Sequence, residues 1–282
     1  MTAYEWDDTA WQPATGVPLS DRAFRHGMSA FATIRLHRGH PVFLDAHLEK
    51  LRATCNALGL RSLPDALAAT LRRPFFSSEL EPTHGSIDAL LRLTVTAGDG
   101  PIHAPLDHGR IYLQIDAPIS DTPPETLLLP NAAETTHTPI FPGLKTGNYW
   151  PQIDAHRSAR QRGADEIVLV NSAHHVISAS LANLFAVIDG LLLTPRTSSG
   201  ARSGVMRDWV LQNADVIISD FHPEQLRDAQ EILLTNSRYG IAPIRTLDGR
   251  ELPSQATGTA LRQTYLQYLD TVAKASVIQE PL

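Results

Sequence analysis

Short strand patterns joined by tight turns do most to limit the folds open to this chain. Residues 31–44, FATIRLHRGHPVFL, alternate apolar and polar side chains and break at Arg38 and Gly39. This alternation, interrupted by a glycine turn, predicts a strand, a tight turn and a second strand. Residues 45–60 place apolar side chains at helical spacing and reach Gly59, which predicts a helix with a glycine stop. Two further stretches, 89–98 and 109–118, predict strands of the same sheet.

A stretch rich in Pro, Ser and Asp, APISDTPPET at residues 117–126, separates this region from the rest of the chain. Such residues favour an inter-domain linker. We therefore expect an N-terminal α+β domain over 1–116 and a C-terminal α+β domain over 127–282, with the site in the crevice between the domains. The second half has helix patterns at 153–164 and 201–214, a buried strand pattern at 165–170, and hairpin turns at Asp189-Gly190 and Asp248-Gly249.

Composition limits the classes of function. The 282 residues are 43% hydrophobic, enough for a sizeable core, and carry a net charge of −6. That charge provides no basic surface, so we expect no nucleic-acid partner. The N-terminus lacks the basic start and apolar run of a signal peptide, and no stretch has the length of a membrane span. The sequence predicts a soluble cytoplasmic protein with no membrane partner, and the single Cys55 excludes an internal disulfide.

Motifs of several other enzyme classes are absent from the sequence. The chain has no GxxxxGK[ST] phosphate loop and no GxSxG nucleophile turn. His174 and His175 are adjacent in a predicted turn and lack the i,i+4 spacing of helical metal ligands. We expect no metal site.

Lysine is scarce, and its scarcity narrows the search for an amine nucleophile. Only three of the 24 Lys and Arg residues are lysines, namely Lys50, Lys145 and Lys274. Arginine stays protonated, whereas a desolvated lysine loses its proton more readily and can then form a Schiff base. Lys274 lies near a polar C-terminal end, and Lys50 shares a predicted helix with His47. Lys145, in the segment LKTGNYW, is the strongest candidate for the nucleophile.

Six segments follow one another along nearly the whole chain: DRAFRHGMSAFATIR, DAHLEKL, LKTGNYWPQIDAHRSARQRGADEIVLVN, ISASLANLF, TPRTSSGARSGVMR and LLTNSRYGIAPI. In that order and at that spacing they resemble the fold type IV, or class IV, aminotransferases. This family includes D-amino-acid and branched-chain aminotransferases and aminodeoxychorismate lyase. The resemblance implies a two-domain fold type IV architecture and dependence on pyridoxal 5'-phosphate.

The resemblance also implies roles for residues around the candidate nucleophile. Lys145 would be the amine that binds the cofactor covalently and then moves a proton between substrate and cofactor, which an arginine could not do. Tyr149 corresponds to the family tyrosine near the cofactor's phenolic oxygen, where a hydrogen bond steadies the ring.

Two further segments correspond to phosphate-binding turns of the family. Gly204, Val205 and Met206 correspond to a helix start whose backbone amides point at the phosphate, a favourable place for an anion. Asn236 and Ser237 correspond to a turn that adds polar contacts to the same phosphate.

The chain also departs from the family pattern at several positions. Lys50 stands where an Arg usually grips the phosphate, so it supplies charge without the bidentate fork. Ser178 stands where a Glu normally keeps the pyridine nitrogen protonated, and a neutral Ser cannot hold that proton. Ala97 replaces an Arg that some members use for the substrate carboxylate. Arg35 and Arg92 are the remaining candidates to bind that carboxylate.

Three functions remain open. The first is an aminotransferase that moves an amino group between an amino acid and a 2-oxo acid. The second is an aminodeoxychorismate lyase-like enzyme that eliminates pyruvate, because TNSRYGIAP resembles that branch and elimination tolerates the weaker electron sink that Ser178 implies. The third is a catalytically weakened homologue that only binds the cofactor. The resemblance implies a homodimer in each case, since family members complete the site mouth from a neighbouring subunit.

Overall fold

The structure is a computed structural model that describes residues 2–72, 88–116, 122–130 and 141–277, with side chains up to Val272. By its contacts the chain divides into two compact units. Unit 1 consists of Met1–Ser120, Lys145–Asn148 and Tyr268–Leu282, and unit 2 of Asp121–Leu144 and Tyr149–Gln267. The predicted linker lies partly outside the described residues, at 117–121. The domain limits 1–116 and 127–282 stay a prediction, and the sequence did not indicate that Lys145–Asn148 belongs with unit 1.

Unit 1 is built on one antiparallel sheet of six strands in the order β2-β1-β6-β5-β3-β4. Its elements are β1 Thr2–Trp6, β2 Trp11–Pro13, α1 Arg22–His26, β3 Ser29–His37, β4 His40–Pro41, α2 Leu44–Leu58, α3 Asp65–Arg72, β5 Ala89–Thr96 and β6 Ile111–Asp116. The predicted strand, turn and strand are confirmed, because Arg38 and Gly39 take positive φ between β3 and β4. The predicted helix is confirmed as α2, which ends at the left-handed Gly59.

Alternation along β3 decides which side chains face the core of unit 1. Ala30, Ala32, Ile34 and Leu36 are buried in one apolar cluster, because successive side chains of a strand point to opposite faces. Helix α2 adds its apolar side to the same cluster. Phe31, Thr33 and Arg35 therefore lie on the other face of the sheet, as do Arg92 and Thr94, their neighbours in β5.

Unit 2 contains two five-stranded sheets, ordered β12-β11-β10-β13-β14 and β16-β15-β7-β8-β9. Its elements are β7 Thr126–Leu128, α4 Trp150–Gln161, β8 Glu166–Val170, β9 Val176–Ala179, β10 Asn183–Ile188, β11 Leu191–Thr194, α5 Val205–Asn213, β12 Val216–Ile218, β13 Glu231–Asn236, β14 Gly240–Pro243, β15 Thr246–Leu247, β16 Arg250–Glu251 and α6 Ala256–Val277, which continues into unit 1. Short 3₁₀ helices occupy Thr197–Ser199 and Pro223–Asp228.

The two hairpin turns and the buried strand predicted for the second half of the chain are confirmed, and the helices predicted at 153–164 and 201–214 are present with shifted bounds, as α4 and α5. Asp189-Gly190 joins β10 to β11 and Asp248-Gly249 joins β15 to β16, each with positive φ at both turn residues. Two consecutive positive φ values are the mark of the type I′ turn that Asp-Gly favours. Every residue of β8 is buried, as its apolar run predicted. None of the helices in the described part of the chain is long and apolar enough to cross a membrane.

Candidate active site

Lys145 belongs to a short segment that extends the sheet of unit 1 at the start of β3. The Gly147 amide donates to the Ser29 carbonyl at 2.8 Å, and the Phe31 amide donates to the Lys145 carbonyl at 3.1 Å. A Cβ on Gly147 would lie 2.2 Å from Ser29 Oγ, so any other residue here would force the Ser29 side chain to move. Backbone pairing on both sides of Thr146 thus fixes the main chain from which the Lys145 side chain projects.

The Lys145 side chain lies over Phe31. Its Nζ is 4.2 Å from the ring centroid, and the central guanidinium carbon of Arg92 is 3.7 Å from the same centroid. Attraction of cations to the face of an aromatic ring accounts for both contacts. Phe31 therefore brings together the predicted nucleophile and one of the two predicted carboxylate-binding arginines.

Both Lys145 and Lys50 influence the pKa of His47. His47 is only 7% exposed, and burial lowers its pKa to about 3, with the positive charges of Lys145 and Lys50 acting in the same direction. The imidazole is therefore neutral at physiological pH. We call Phe31, His47, Lys50, Arg92 and Lys145 the lysine cluster. Two lysines around a neutral histidine give this part of unit 1 a positive potential that favours an anionic ligand.

Arg35, the other predicted carboxylate-binding residue, is engaged in an ion pair. Its Nη2 lies 2.9 Å from Asp88 Oδ2, and the other oxygen of Asp88 is 2.9 Å from His37 Nδ1. The Arg35 guanidinium holds the pKa of Asp88 below its usual value although burial acts in the opposite direction. Arg35 is thus paired with a carboxylate of the same chain, and the binding of a substrate carboxylate by Arg35 stays a prediction.

In unit 2, helix α5 starts at the predicted phosphate-binding residues. Gly204 is the residue before the helix and provides no side-chain cap. Among the described residues, the backbone N–H groups of Val205 and Met206 have no hydrogen-bond partner. A Cβ on Gly204 would lie 2.1 Å from Asn183 Oδ1, so the glycine lets Asn183 pack against the helix start. Unpaired amides at a helix N-terminus are suited to an anion.

Thr235 adds a hydroxyl beside this helix start. It lies opposite Asn183 in the pairing of β10 with β13, and its buried Oγ1 has no partner in the described part of the chain. Buried hydroxyls are normally hydrogen-bonded. We call Asn183, Gly204, Val205, Met206 and Thr235 the helix-start cluster; it combines two backbone N–H groups and one hydroxyl that have no partner among the described residues.

Tyr149 is the residue before helix α4, where Pro151 favours the helix start. Its hydroxyl accepts a hydrogen bond of 2.8 Å from Arg202 Nη1. The central guanidinium carbon of Arg202 also lies 5.1 Å from the Tyr149 ring centroid. The Asn183 side-chain amide donates to the Arg202 carbonyl at 2.7 Å. Arg202 thus connects Tyr149 to the helix-start cluster.

Ser178 is half-buried in β9, opposite Leu169 of β8. Two residues later Ser180 donates its hydroxyl to the carboxyl group of Glu166, and the Leu181 amide donates to the same group at 3.2 Å. Burial raises the pKa of Glu166 to about 7, against the effect of these two donors. Glu166 therefore anchors the segment that follows Ser178 to the neighbouring strand.

Asn236 and Ser237 form the turn after β13. The Asn236 Oδ1 accepts from the amides of Arg238 and Tyr239 at 3.0 and 3.1 Å, and its Nδ2 donates to the Leu181 carbonyl at 3.3 Å. These bonds shape the turn and tie it to the segment after Ser178. Phosphate contacts from Asn236 and Ser237 stay a prediction.

The structure thus groups Lys50, Lys145 and Arg92 in unit 1, and associates Tyr149 with Val205 and Met206 in unit 2. Sequence reasoning missed the contributions of Phe31, His47, Asn183, Arg202 and Thr235. A signal existed for His47, which is three residues before Lys50 on one helix face. Thr235 precedes Asn236 in the predicted turn. Nothing local marked Arg202, because its partner lies 53 residues away in the chain.

Comparison with known proteins identifies similar sequences over most of the chain. The family model described as "Amino-transferase class IV" matches residues 29–247. An aminodeoxychorismate lyase of Vibrio harveyi is 27% identical over 261 residues, covering 85% of this chain and 90% of the lyase. A putative branched-chain-amino-acid aminotransferase of Methanocaldococcus jannaschii is 24% identical over 274 residues, with 92% of each chain covered.

A solved structure shares the fold. The branched-chain amino acid aminotransferase of Escherichia coli superimposes with a TM-score of 0.81 at 20% identity, covering 95% of this chain and 94% of that one. The predicted α+β, fold type IV architecture is confirmed by this match. The predicted position of the site in a crevice stays a prediction.

Proposed function

Because this chain belongs to the class IV aminotransferase family, we propose that it moves an amino group between an amino acid and a 2-oxo acid. The family match over residues 29–247 confirms the assignment made from the sequence motifs. The members of this family are pyridoxal-phosphate-dependent enzymes. The single observation that carries the proposal is the fixed, half-buried Lys145, held by backbone pairing to β3 and directed over Phe31.

The donor groups of the chain fit a cofactor that has both a phosphate and an aldehyde. The free amides of Val205 and Met206 and the hydroxyl of Thr235 offer hydrogen bonds to phosphate oxygens. Lys145 offers the amine that an aldehyde requires. We infer that these residues bind pyridoxal 5'-phosphate.

Further predicted contacts complete the set of cofactor-binding residues. Lys50 supplies charge to the phosphate, Tyr149 a hydrogen bond to the phenolic oxygen, and Ser178 a neutral partner for the ring nitrogen. Asn236 and Ser237 contribute polar contacts from the turn after β13.

Each residue has a distinct task in the proposed reaction. When bound, pyridoxal phosphate supplies an electron-withdrawing ring that stabilises negative charge on a substrate carbon. Lys145 acts first as the amine nucleophile and then as the base that takes and returns a proton at that carbon. His47, whose pKa is lowered by burial and by Lys145, stays neutral at physiological pH and takes no proton there. Arg35 and Arg92 are the predicted partners of the substrate carboxylate.

Elimination of pyruvate is the second candidate function, and Ser178 favours it. A serine hydroxyl cannot hold a proton on a neighbouring ring nitrogen as a carboxylate does, so its presence slows transamination more than it slows elimination. The similarity to the Vibrio harveyi aminodeoxychorismate lyase supports this alternative.

The first experiment asks whether Lys145 carries the cofactor. Purified protein is incubated with pyridoxal phosphate, reduced with borohydride and mapped by peptide mass spectrometry. We expect the label on Lys145 and none in the Lys145→Ala variant. The Lys274→Ala variant is the matched control and should keep the label. A label on Lys50 or Lys274 of the wild-type protein would refute the proposal.

The second experiment separates the two reactions. The absorption spectrum of the holoenzyme is followed during addition of a panel of amino acids and of aminodeoxychorismate. Conversion of the cofactor to its aminated form supports amino-group transfer, and release of pyruvate supports elimination. A protein that binds cofactor at Lys145 but responds to neither class would be the weakened homologue. The predicted homodimer and cytoplasmic location are part of the same proposal.

A further inference from the structure

The guanidinium of Arg202 has an incomplete set of partners. Its Nη1 donates to the Tyr149 hydroxyl at 2.8 Å. Within the described residues, Nε and Nη2 have no hydrogen-bond partner, and neither atom is among the buried polar atoms without one, so both reach solvent. The side chain is half-buried and has no carboxylate partner in that part of the chain. Arg202 is therefore held in place beside Tyr149, and no carboxylate of the described residues compensates its charge.

Other arginines of the chain contrast with Arg202. Arg22 is 1% exposed and donates to five backbone carbonyl oxygens. Arg35 is paired with Asp88. Arg196, in the same loop as Arg202, has its Nε 3.5 Å from Asp220. Internal partners therefore account for these three charges, whereas no carboxylate among the described residues accounts for that of Arg202.

The two remaining nitrogens of Arg202 suit a planar oxyanion. The Nε–H and one N–H of Nη2 project from the same edge of the guanidinium, which is the fork that binds the two oxygens of a carboxylate. The bond to Tyr149 uses Nη1 and leaves this fork intact. It also fixes the plane of the group, so less side-chain freedom is lost when an anion binds.

We propose that Arg202, in addition to the predicted Arg35 and Arg92, binds the carboxylate of the substrate and selects for carboxylate-bearing amines and oxo acids. This assignment rests on the proposed function. Some family members bind the substrate carboxylate with an arginine at the position where this chain has Ala97, and Arg202 provides a positive charge for the same carboxylate. The cofactor phosphate is the other possible oxyanion. The helix-start amides and Thr235 already offer donors to the phosphate, which makes the carboxylate the better partner for Arg202.

The test measures carboxylate binding without relying on turnover. Propanoate and succinate, which carry no amino or oxo group, are titrated into the holoenzyme by ligand-observed NMR, with neutral propanamide as the control ligand. In the Arg202→Met variant we expect the dissociation constants of both acids to rise roughly 10- to 100-fold, as loss of charge-assisted hydrogen bonds implies. Arg202→Lys should keep part of the affinity. Arg196→Met, from the same loop, should bind the acids like the wild type.

Cofactor retention is measured on the same variants by absorption after dialysis. Unchanged retention together with weaker binding of the acids supports the proposal. Acid binding equal to that of the wild type in Arg202→Met overturns it, and so does a loss of cofactor with acid binding intact, because the anion is then the phosphate. A wild-type protein without label at Lys145 refutes the proposed function separately, since the titration can be repeated without cofactor.

Discussion

The pKa of the buried His47 depends on its burial and on the charges around it. Burial and the two neighbouring lysines lower its pKa from 6.5 to about 3, so the folded protein keeps it neutral where the unfolded chain would protonate it. The unfolded state therefore binds more protons between these two values, and stability falls as the pH decreases through that window. Above pH 6.5 this contribution to stability is fully present.

The lowered pKa of His47 predicts how the stability of the cofactor-free protein depends on pH. Between pH 7 and pH 5 the free energy of unfolding of the wild type should fall by about 2 kcal/mol more than that of His47→Gln. Urea unfolding at a series of pH values measures the difference. The exposed His26→Gln is the control and should follow the wild type. Parallel curves for wild type and His47→Gln would show that His47 titrates normally.

Ser178 is the predicted neighbour of the cofactor's ring nitrogen, and the proposed choice of reaction depends on it. A carboxylate at this position would raise the pKa of a neighbouring ring nitrogen, whereas the hydroxyl does not. Ser178→Glu should therefore speed the transamination half-reaction about tenfold or more. Stopped-flow absorption with an amino acid that binds is the measurement. Ser178→Gln adds the same bulk without charge and should give no gain; an equal gain from both would rule out the charge as the cause.

At the scale of elements, the segment 145–147 acts as an added strand on the edge of β3. Its pairing satisfies backbone groups that β4, which pairs only with the end of β3, leaves uncovered. Gly147 permits the approach to Ser29. The segment that carries the candidate nucleophile is thus held by backbone bonds, and its register does not depend on the Lys145 side chain.

A Cβ at position 147 should disturb this edge. Gly147→Ala is expected to destabilise the protein by about 1–3 kcal/mol through overpacking against Ser29 Oγ, and to lower the yield of labelled Lys145. Gly16→Ala, where a Cβ meets nothing within 4 Å, is the control in the same urea titration. Adding Ser29→Ala to the first variant should recover part of the loss. A fully stable Gly147→Ala would mean that the segment is not packed this way.

At the scale of the whole molecule, the chain is expected to form a homodimer. This follows from the family resemblance, and a two-fold pair is the commonest closed assembly. Light scattering should give twice the mass of one chain at micromolar concentration. The Lys145→Ala variant should give the same mass, because pairing of subunits does not require the nucleophile. A monomer at working concentration would contradict the prediction.

The sequence by itself determined the features that depend on near neighbours in the chain. Alternation predicted β3 and β8, helical spacing and Gly59 predicted α2, and the Asp-Gly pairs predicted two hairpins, because period and φ preference are local properties. The order of the motifs also identified the family, and it predicted Lys145 as the nucleophile.

Tertiary structure alone decided which distant residues meet. The pairing of Gly147 with Ser29, the burial of His47 near Lys145 and the bond between Arg202 and Tyr149 join residues roughly 50 to 120 positions apart. No local pattern encodes these contacts, since each depends on where whole elements pack. For the same reason the sequence does not distinguish Arg202 from the other arginines, and only its contacts in the folded chain do.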